Sequence, residues 1–427
     1  MIMQLVAGCI LISDAEVAAR LDWDHDGSAW PSDCDDRDAT IFPGSAGCGG
    51  DEDSGEPGDS GLTIDVLPIY EGEGNFGSDV ALLAGGMVLI GAPAKPAAFV
   101  NQTELRGRSS CASGGDGAGW SVAAVLDRDG DGLGEALVGA PELGAGSGCA
   151  GVVWLADSGI WRGGDVALDG AAVAFEGQNA GGGFGYSVAA VDLDGDGTDE
   201  VVVGQPVGNA VHVFQGDTIA ATGSLSEEDA FSWSRTGAGL GVAAAGDVDA
   251  DGVGNVLVTA DVGVFVLGGL FVTQIASIAG VGGCGRRCTT GLGDRDGDGR
   301  SELAVADSSN VYLLPGVAMQ GVVEATDAAS TVLFADGILS LAAAGSTCDL
   351  PGLIVGESSG VWSICDPPLG GVDFADGVAT RYAPESSDAS FGMAVAGGVE
   401  LGLGDMRADV AIGAPETGRV YTFAGNE

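Results

Sequence analysis

From about residue 62 onward, short apolar runs alternate with clusters of glycine and aspartate. The clearest example lies between Gly183 and Pro206. Phe184-Gly185 leads into Ser187-Val-Ala-Ala-Val191, a polar turn follows, then Val201-Val-Val203 and Gly204-Gln-Pro206. Apolar and β-branched runs of this length, bounded by turn residues, predict two buried strands joined as a hairpin.

The same unit recurs along the chain. Its second strand ends at Gly91-Ala-Pro, Gly139-Ala-Pro, Gly204-Gln-Pro, Thr259-Ala-Asp, Ala306-Asp-Ser, Gly356-Glu-Ser and Gly413-Ala-Pro, at steps of 48, 65, 55, 47, 50 and 57 residues. Each hairpin is entered through a glycine step: Phe76-Gly77, Gly119-Trp120, Phe184-Gly185, Gly239-Leu240, Asp336-Gly337 and Phe391-Gly392, with Cys284–Cys288 standing in for the fifth. A third strand follows, as in Gly151-Val-Val-Trp154, Ala210-Val-His-Val-Phe214 and Asn310-Val-Tyr-Leu313. A period of about 40–60 residues with several short strands per unit predicts an all-β, seven-bladed propeller. The last unit is one strand short, and a propeller must hide its open edges. The lone strand Leu62–Leu67 is therefore expected to complete the last blade, making 62–427 one domain.

The turn inside the third unit carries chemistry. Asp192, Asp194 and Asp196 alternate, Gly197 supplies the bend, the Thr198 carbonyl follows, and Glu200 closes the set. Hard oxygens at that density suit Ca²⁺, which takes six to eight. An EF-hand is excluded, because its twelfth position, a chelating carboxylate before a helix, is here Val203 within a strand. The same spacing gives Asp127, Asp129, Asp131, Leu133 (carbonyl) and Glu135 in unit two. It gives Asp247, Asp249, Asp251, Val253 (carbonyl) and Asn255 in unit four. Unit five has Asp294, Asp296, Asp298, Arg300 (carbonyl) and Glu302. Unit one has no cage, unit six offers only Ala344, Ser346, Cys348 and Gly352, and unit seven keeps only Asp405 and Asp409.

Phe-Gly, the aspartate cage and Gly-Ala-Pro in that order resemble the FG-GAP repeats of the integrin α-subunit head and its bacterial relatives, over about residues 62–427. The resemblance implies a seven-bladed propeller with Ca²⁺ in hairpin loops on one face and ligands on the opposite face or rim. Position nine departs from the family, with Glu or Asn where Asp is usual, and this bears on ligand geometry.

The N-terminal part reads differently. Val6-Ala7-Gly8-Cys9 resembles a bacterial lipobox, which implies that 1–8 is a signal remnant and Cys9 a lipid anchor, though no Lys or Arg precedes it. Residues 9–61 form an acidic tether. Within it, Asp22, Asp24, Asp26, the Ser28 carbonyl and Asp33 could close a Ca²⁺ loop, and the Cys/Asp-rich segment 22–50 resembles metal-binding repeats of bacterial surface proteins. An acidic stalk without metal is the alternative. Residues 49–61 are a polar linker.

Setting Cys9 aside, eight cysteines fall as neighbours: Cys34/Cys48, Cys111/Cys149, Cys284/Cys288 and Cys348/Cys365. Local disulfides and export agree with that arrangement, but sequence does not fix connectivity, and free thiols remain the alternative.

Charge narrows the partners. With 62 acidic and 15 basic residues the net charge is −47, and Lys95 is the sole lysine. Nucleic acid is not an expected partner, since phosphate contacts need basic patches. A hydrophobic content of 45% argues against disorder, and no apolar run reaches the roughly 20 residues of a membrane span.

No enzyme is expected. The two histidines are His25, in the tether, and His212, in a strand. No nucleophile elbow or phosphate loop is present. Paired carboxylates for glycoside hydrolysis stay open in so acidic a chain. The tryptophans Trp120, Trp154, Trp161, Trp233 and Trp362 are expected in blade packing rather than on a sugar platform. The reading is a Ca²⁺-stabilised binding module on a bacterial surface, anchored only through lipid, for a protein or glycan. A lectin-like or glycan-degrading propeller and a structural coat protein are the alternatives.

Overall fold

The computed structural model describes residues 69–424 apart from 109–115, 142–149, 220–222, 282–284, 336, 346–351, 358–359, 366–369, 374–378, 384–387, 389, 400 and 402–407. The described strands form seven sheets in chain order around an axis, each built on an antiparallel meander. Their innermost strands (Val80–Leu83, Ser121–Val125, Ser187–Val191, Gly241–Gly246, Thr289–Gly293, Ile338–Gly345 and Ala394–Val399) touch one another in sequence, and the last touches the first. This is a closed, seven-bladed β-propeller, as the repeat count predicts.

Residue size follows position. The inner strands are rich in alanine, as in Ser-Val-Ala-Ala-Val at both 121–125 and 187–191, because seven strands converge there. The second strands, such as Glu200–Gln205 and Glu135–Ala140, are buried at every residue. Each is covered on both faces by neighbouring blades, so alternation gives way to continuous apolar runs. The apolar clusters accordingly lie between blades; Phe175, Phe184 and Phe214, for example, pack blade two against blade three.

The recurrent glycines explain how blades approach so closely. A Cβ placed on Gly91, Gly139, Gly204, Gly356 or Gly413 would lie 2.0–2.4 Å from the carbonyl oxygen of Gly119, Gly185, Gly239, Gly392 or Gly77, respectively. The glycine that ends one blade's second strand thus receives the backbone of the next blade's entry. That entry glycine turns at positive φ (+86° at Gly185), and its N–H donates to the matching carbonyl in its own blade, 3.1 Å from Gly185 to Gly204. The Phe-Gly and Gly-Ala-Pro elements are therefore two halves of one inter-blade contact, and Gly413 against Gly77 closes the ring.

An N-terminal strand does complete the last blade, but it is Tyr70–Glu71, antiparallel to Arg419–Phe423, with Tyr70 opposite Val420 and Glu71 opposite Arg419. Residues 62–67, where the sequence places it, lie outside the described residues. The Arg419 guanidinium donates to the Glu71 carboxylate at 2.9 Å across this seam.

Four blades gain a fifth, parallel strand lent by the next blade. Val166–Ala167 joins blade one, Gly223–Ser226 blade two, Gly321–Glu324 blade four and Gly370–Asp373 blade five. Each comes from the connection between the lender's third and fourth strands, and each covers an exposed sheet edge.

Candidate metal centres

Every predicted cage lies in the turn between the first and second strand of its blade, so all four occupy one end of the ring. Carboxylate oxygens converge to within 4.8 Å of one another in four groups: Asp127, Asp129 and Glu135; Asp192, Asp194 and Glu200; Asp247, Asp249 and Asp251; Asp294, Asp296 and Glu302. These are the four blades chosen from spacing. Among the described residues no other such group forms. The tether candidates Asp22, Asp24, Asp26, Ser28 and Asp33, and Asp405 of blade seven, lie outside the described residues.

The first aspartate shapes each turn. Asp192 accepts from the N–H of Gly195 at 2.6 Å and of Gly197 at 2.9 Å; Asp127 does the same with Gly130 and Gly132, and Asp294 with Gly297 and Gly299. Both glycines of each pair take positive φ; in blade four Ala250 holds the first of these positions at +60°.

The fifth position does not join its cage in three loops. Asp131, Asp196 and Asp298 each accept from the N–H two residues on, Leu133, Thr198 and Arg300. Asp131 also accepts from Ser158 at 2.5 Å and Arg162 at 2.9 Å. Only Asp251 sits within its group. Asp251 accepts from Val253 N–H in the same way at 3.0 Å, so that bond does not by itself keep a carboxylate out of its group.

Position nine does more than spacing predicts. Glu200, fully buried, accepts from Leu193 N–H at 2.6 Å and from Gly216 N–H at 3.1 Å. Glu302 likewise accepts from Arg295 and Gly316, and Glu135 from Arg128. Gly216 and Gly316 open 3₁₀ turns after the third strand, a reach that favours Glu over the shorter Asp. In blade four Asn255 bonds only Val248 N–H at 2.7 Å, and its Nδ2 is buried without a partner. Asp409 of blade seven is also buried and accepts from Leu401 N–H, so this brace survives where the cage has decayed.

Neighbouring loops are linked. Gly254 N–H donates to the Asp192 carbonyl at 2.9 Å, Ser301 N–H to the Asp247 carbonyl at 2.6 Å, and Leu126 N–H to the Asp199 carboxylate at 2.8 Å. The four cages thus form one hydrogen-bonded arc over blades two to five.

Burial, reinforced by the neighbouring aspartates, pushes the Glu135 and Glu200 carboxyls up to about 7, from 4.5. The folded metal-free protein therefore binds more protons than the unfolded chain between those values. Its stability contribution from these groups is full below the lower value and declines as pH rises through the window. Metal reverses the trend by displacing the protons. In chelator, the melting temperature is expected to fall from about pH 5 to 7 with a smaller slope in Glu200→Gln; equal slopes would contradict the assignment.

His212 is buried, its Nδ1 2.9 Å from Ser232 Oγ and its Nε2 2.9 Å from Gln205 Oε1, so it is a satisfied strand residue. Trp154 and Trp161 are buried in the core, and Trp120, Trp233 and Trp362 are half-buried. Of the nine cysteines, only Cys288 and Cys365 are described; Cys9, Cys34, Cys48, Cys111, Cys149, Cys284 and Cys348 lie outside.

Residues 184–218, which hold the third blade's Phe-Gly entry, cage and Gly-Gln-Pro turn, match the FG-GAP repeat. No curated protein matches the chain. Among solved structures, "Crystal structure of BBS1N in complex with ARL6DN, soaked with lead" is similar at TM-score 0.51 and 11% identity, covering 85% of this chain and 97% of that one. At that identity the likeness is one of fold. The chain is a seven-bladed β-propeller carrying an FG-GAP repeat in its third blade.

Proposed function

We propose that this protein is a Ca²⁺-stabilised binding module that works outside the cell, presenting loops and rim to a protein or glycan ligand. The arc of four carboxylate groups carries the reading. Three combine two aspartates on a tight turn with a glutamate from the following strand, and the fourth brings together three turn aspartates, in each case an all-oxygen set suited to a hard cation. Extracellular Ca²⁺ modules bind at roughly 10⁻⁴–10⁻³ M, which fits loops built on strand turns rather than enclosed cavities.

Export is supported by the lipobox-like Cys9 and by the pairwise spacing of the other eight cysteines, which suits local disulfides. Among the described residues no helix is long and apolar enough to cross a membrane, which agrees with attachment through lipid at a bacterial surface. A glycan array and a surface-protein pull-down, both with Ca²⁺-loaded protein, test the ligand class. Saturable capture of a protein or sugar that is lost on chelation is expected. No capture in either, together with Ca²⁺-dependent self-association in sedimentation, would replace this reading with a structural coat role.

A further inference from the structure

The inner strands enclose a central channel of about 330 Å³, walled by small apolar side chains such as Ala123, Ala189, Ala243 and Leu341. Among the described residues, the ionisable ones lining it are Asp79, Arg286 and Arg287. They sit where the inner strands begin, at the end of the ring opposite the metal loops. Two adjacent arginines here are a notable placement in a chain with 15 basic residues against 62 acidic ones.

The two arginines differ in their partners. Arg287 Nε donates to Asp79 Oδ1 at 2.8 Å, and its guanidinium also donates to the Ser78 carbonyl and, at 3.4 Å, to the Met393 carbonyl. Asp79 is further occupied by Val122 N–H at 2.9 Å. Arg286 has no carboxylate. Its guanidinium lies 4.7 Å from the Trp120 ring centre, its Nη2 reaches the Ser78 carbonyl only at 3.4 Å, and its Nη1 is buried with no acceptor. An orphaned guanidinium donor away from water is destabilising unless something completes it. Burial, with Arg287 adding to it, pulls the Arg286 pKa down to about 9, as a cation lacking its counter-ion requires.

We propose that this channel is a binding site for a small monocarboxylate, whose anionic end pairs with Arg286 over Trp120 and whose apolar body lies along the alanine-rich walls. Charge sets the class. Two guanidinium groups against one carboxylate leave one positive charge, matched by a monoanion rather than a dianion such as phosphate. A planar carboxylate fits the paired donors of a guanidinium, and a channel of this volume lies within the range of small-ligand pockets. The site is independent of the metal loops and of the proposed surface ligand.

The test uses the full-length, Ca²⁺-loaded protein with sodium hexanoate, hexanamide and an N-capped tetrapeptide with a free carboxyl terminus as probes. Tryptophan fluorescence and calorimetry are read at matched ionic strength. Saturable binding of hexanoate but not hexanamide is expected, weakened at least about tenfold in Arg286→Gln, the scale of a lost charge-assisted hydrogen bond. The fluorescence change should vanish in Trp120→Phe while calorimetric binding persists. Binding of the peptide alone would also support the anion site and would assign the carboxylate to a polypeptide end. If neither probe binds by about 50 mM, or if Arg286→Gln binds as wild type does, the proposal is overturned. Should Arg286→Gln fail to fold, phenylglyoxal labelling of the native protein decides: hexanoate should protect Arg286, and undiminished labelling would overturn the site.

Discussion

Removing Ca²⁺ is expected to lower the melting temperature by about 14 °C. Each occupied site adds about 2.7 kcal/mol when free metal is a hundredfold above Kd. Four sites acting together add about 11 kcal/mol, and a propeller of this size unfolds with an entropy near 0.75 kcal/mol/K. The geometry makes a large effect reasonable, because the metal-free loops hold converging carboxylates against their own repulsion, with Asp192, Asp194 and Glu200 within 4.8 Å. Asp194→Ala, which removes one ligand of one cage and no brace, should lose about a quarter of the shift, 3–4 °C. Scanning calorimetry with EGTA, then with Ca²⁺ restored, measures both. Identical melting curves with and without chelator would mean that the cages hold no ion.

The second large effect concerns the ring itself. In Gly413→Ala the added methyl would stand 2.1 Å from the Gly77 carbonyl oxygen, with backbone on the far side and no flexible side chain to move away. Relief requires separating blade seven from blade one, where the ring closes. Overpacking of this kind costs about 3 kcal/mol, or about 4 °C at the entropy above. Gly159→Ala is the control, since nothing lies within 4 Å of its Cβ position, and should stay within about 0.5 kcal/mol of wild type. Urea unfolding separates the two. Equal midpoints would show that the inter-blade glycine contact is not a constraint.

Much of this was legible because it is local. The alternation of Asp192, Asp194 and Asp196 before a glycine places the loop, and the recurring Gly-Ala-Pro counts the blades. The closing strand was legible only in kind. The last blade's missing strand called for an N-terminal partner, and the described pairing is Tyr70–Glu71 with Arg419–Phe423, held by a ladder and an ion pair that reach across 348 residues of sequence. The lent parallel strands, as short as Val166–Ala167, have no periodicity to read; they exist because a neighbour's edge is open. Asp131 looks identical to Asp251 in sequence, and the Ser158 and Arg162 side chains that fold over it come from a segment that spacing does not reveal. The channel arginines replace the expected aromatic-glycine entry of blade five, so the break in the repeat was visible while its destination across the axis was not.

Among the described residues the carboxylate groups occupy blades two to five alone. With metal bound, one side of the wheel is riveted by ions, and the other is held by packing, strand pairing and the arginine contacts to Glu71 and Asp79. The joint between blades one and seven lies on the side without cages, so any breathing of the ring has a fixed location. It would begin at Gly77 and Gly413, spread through blades six, seven and one, and leave the mineralised half as a hinge.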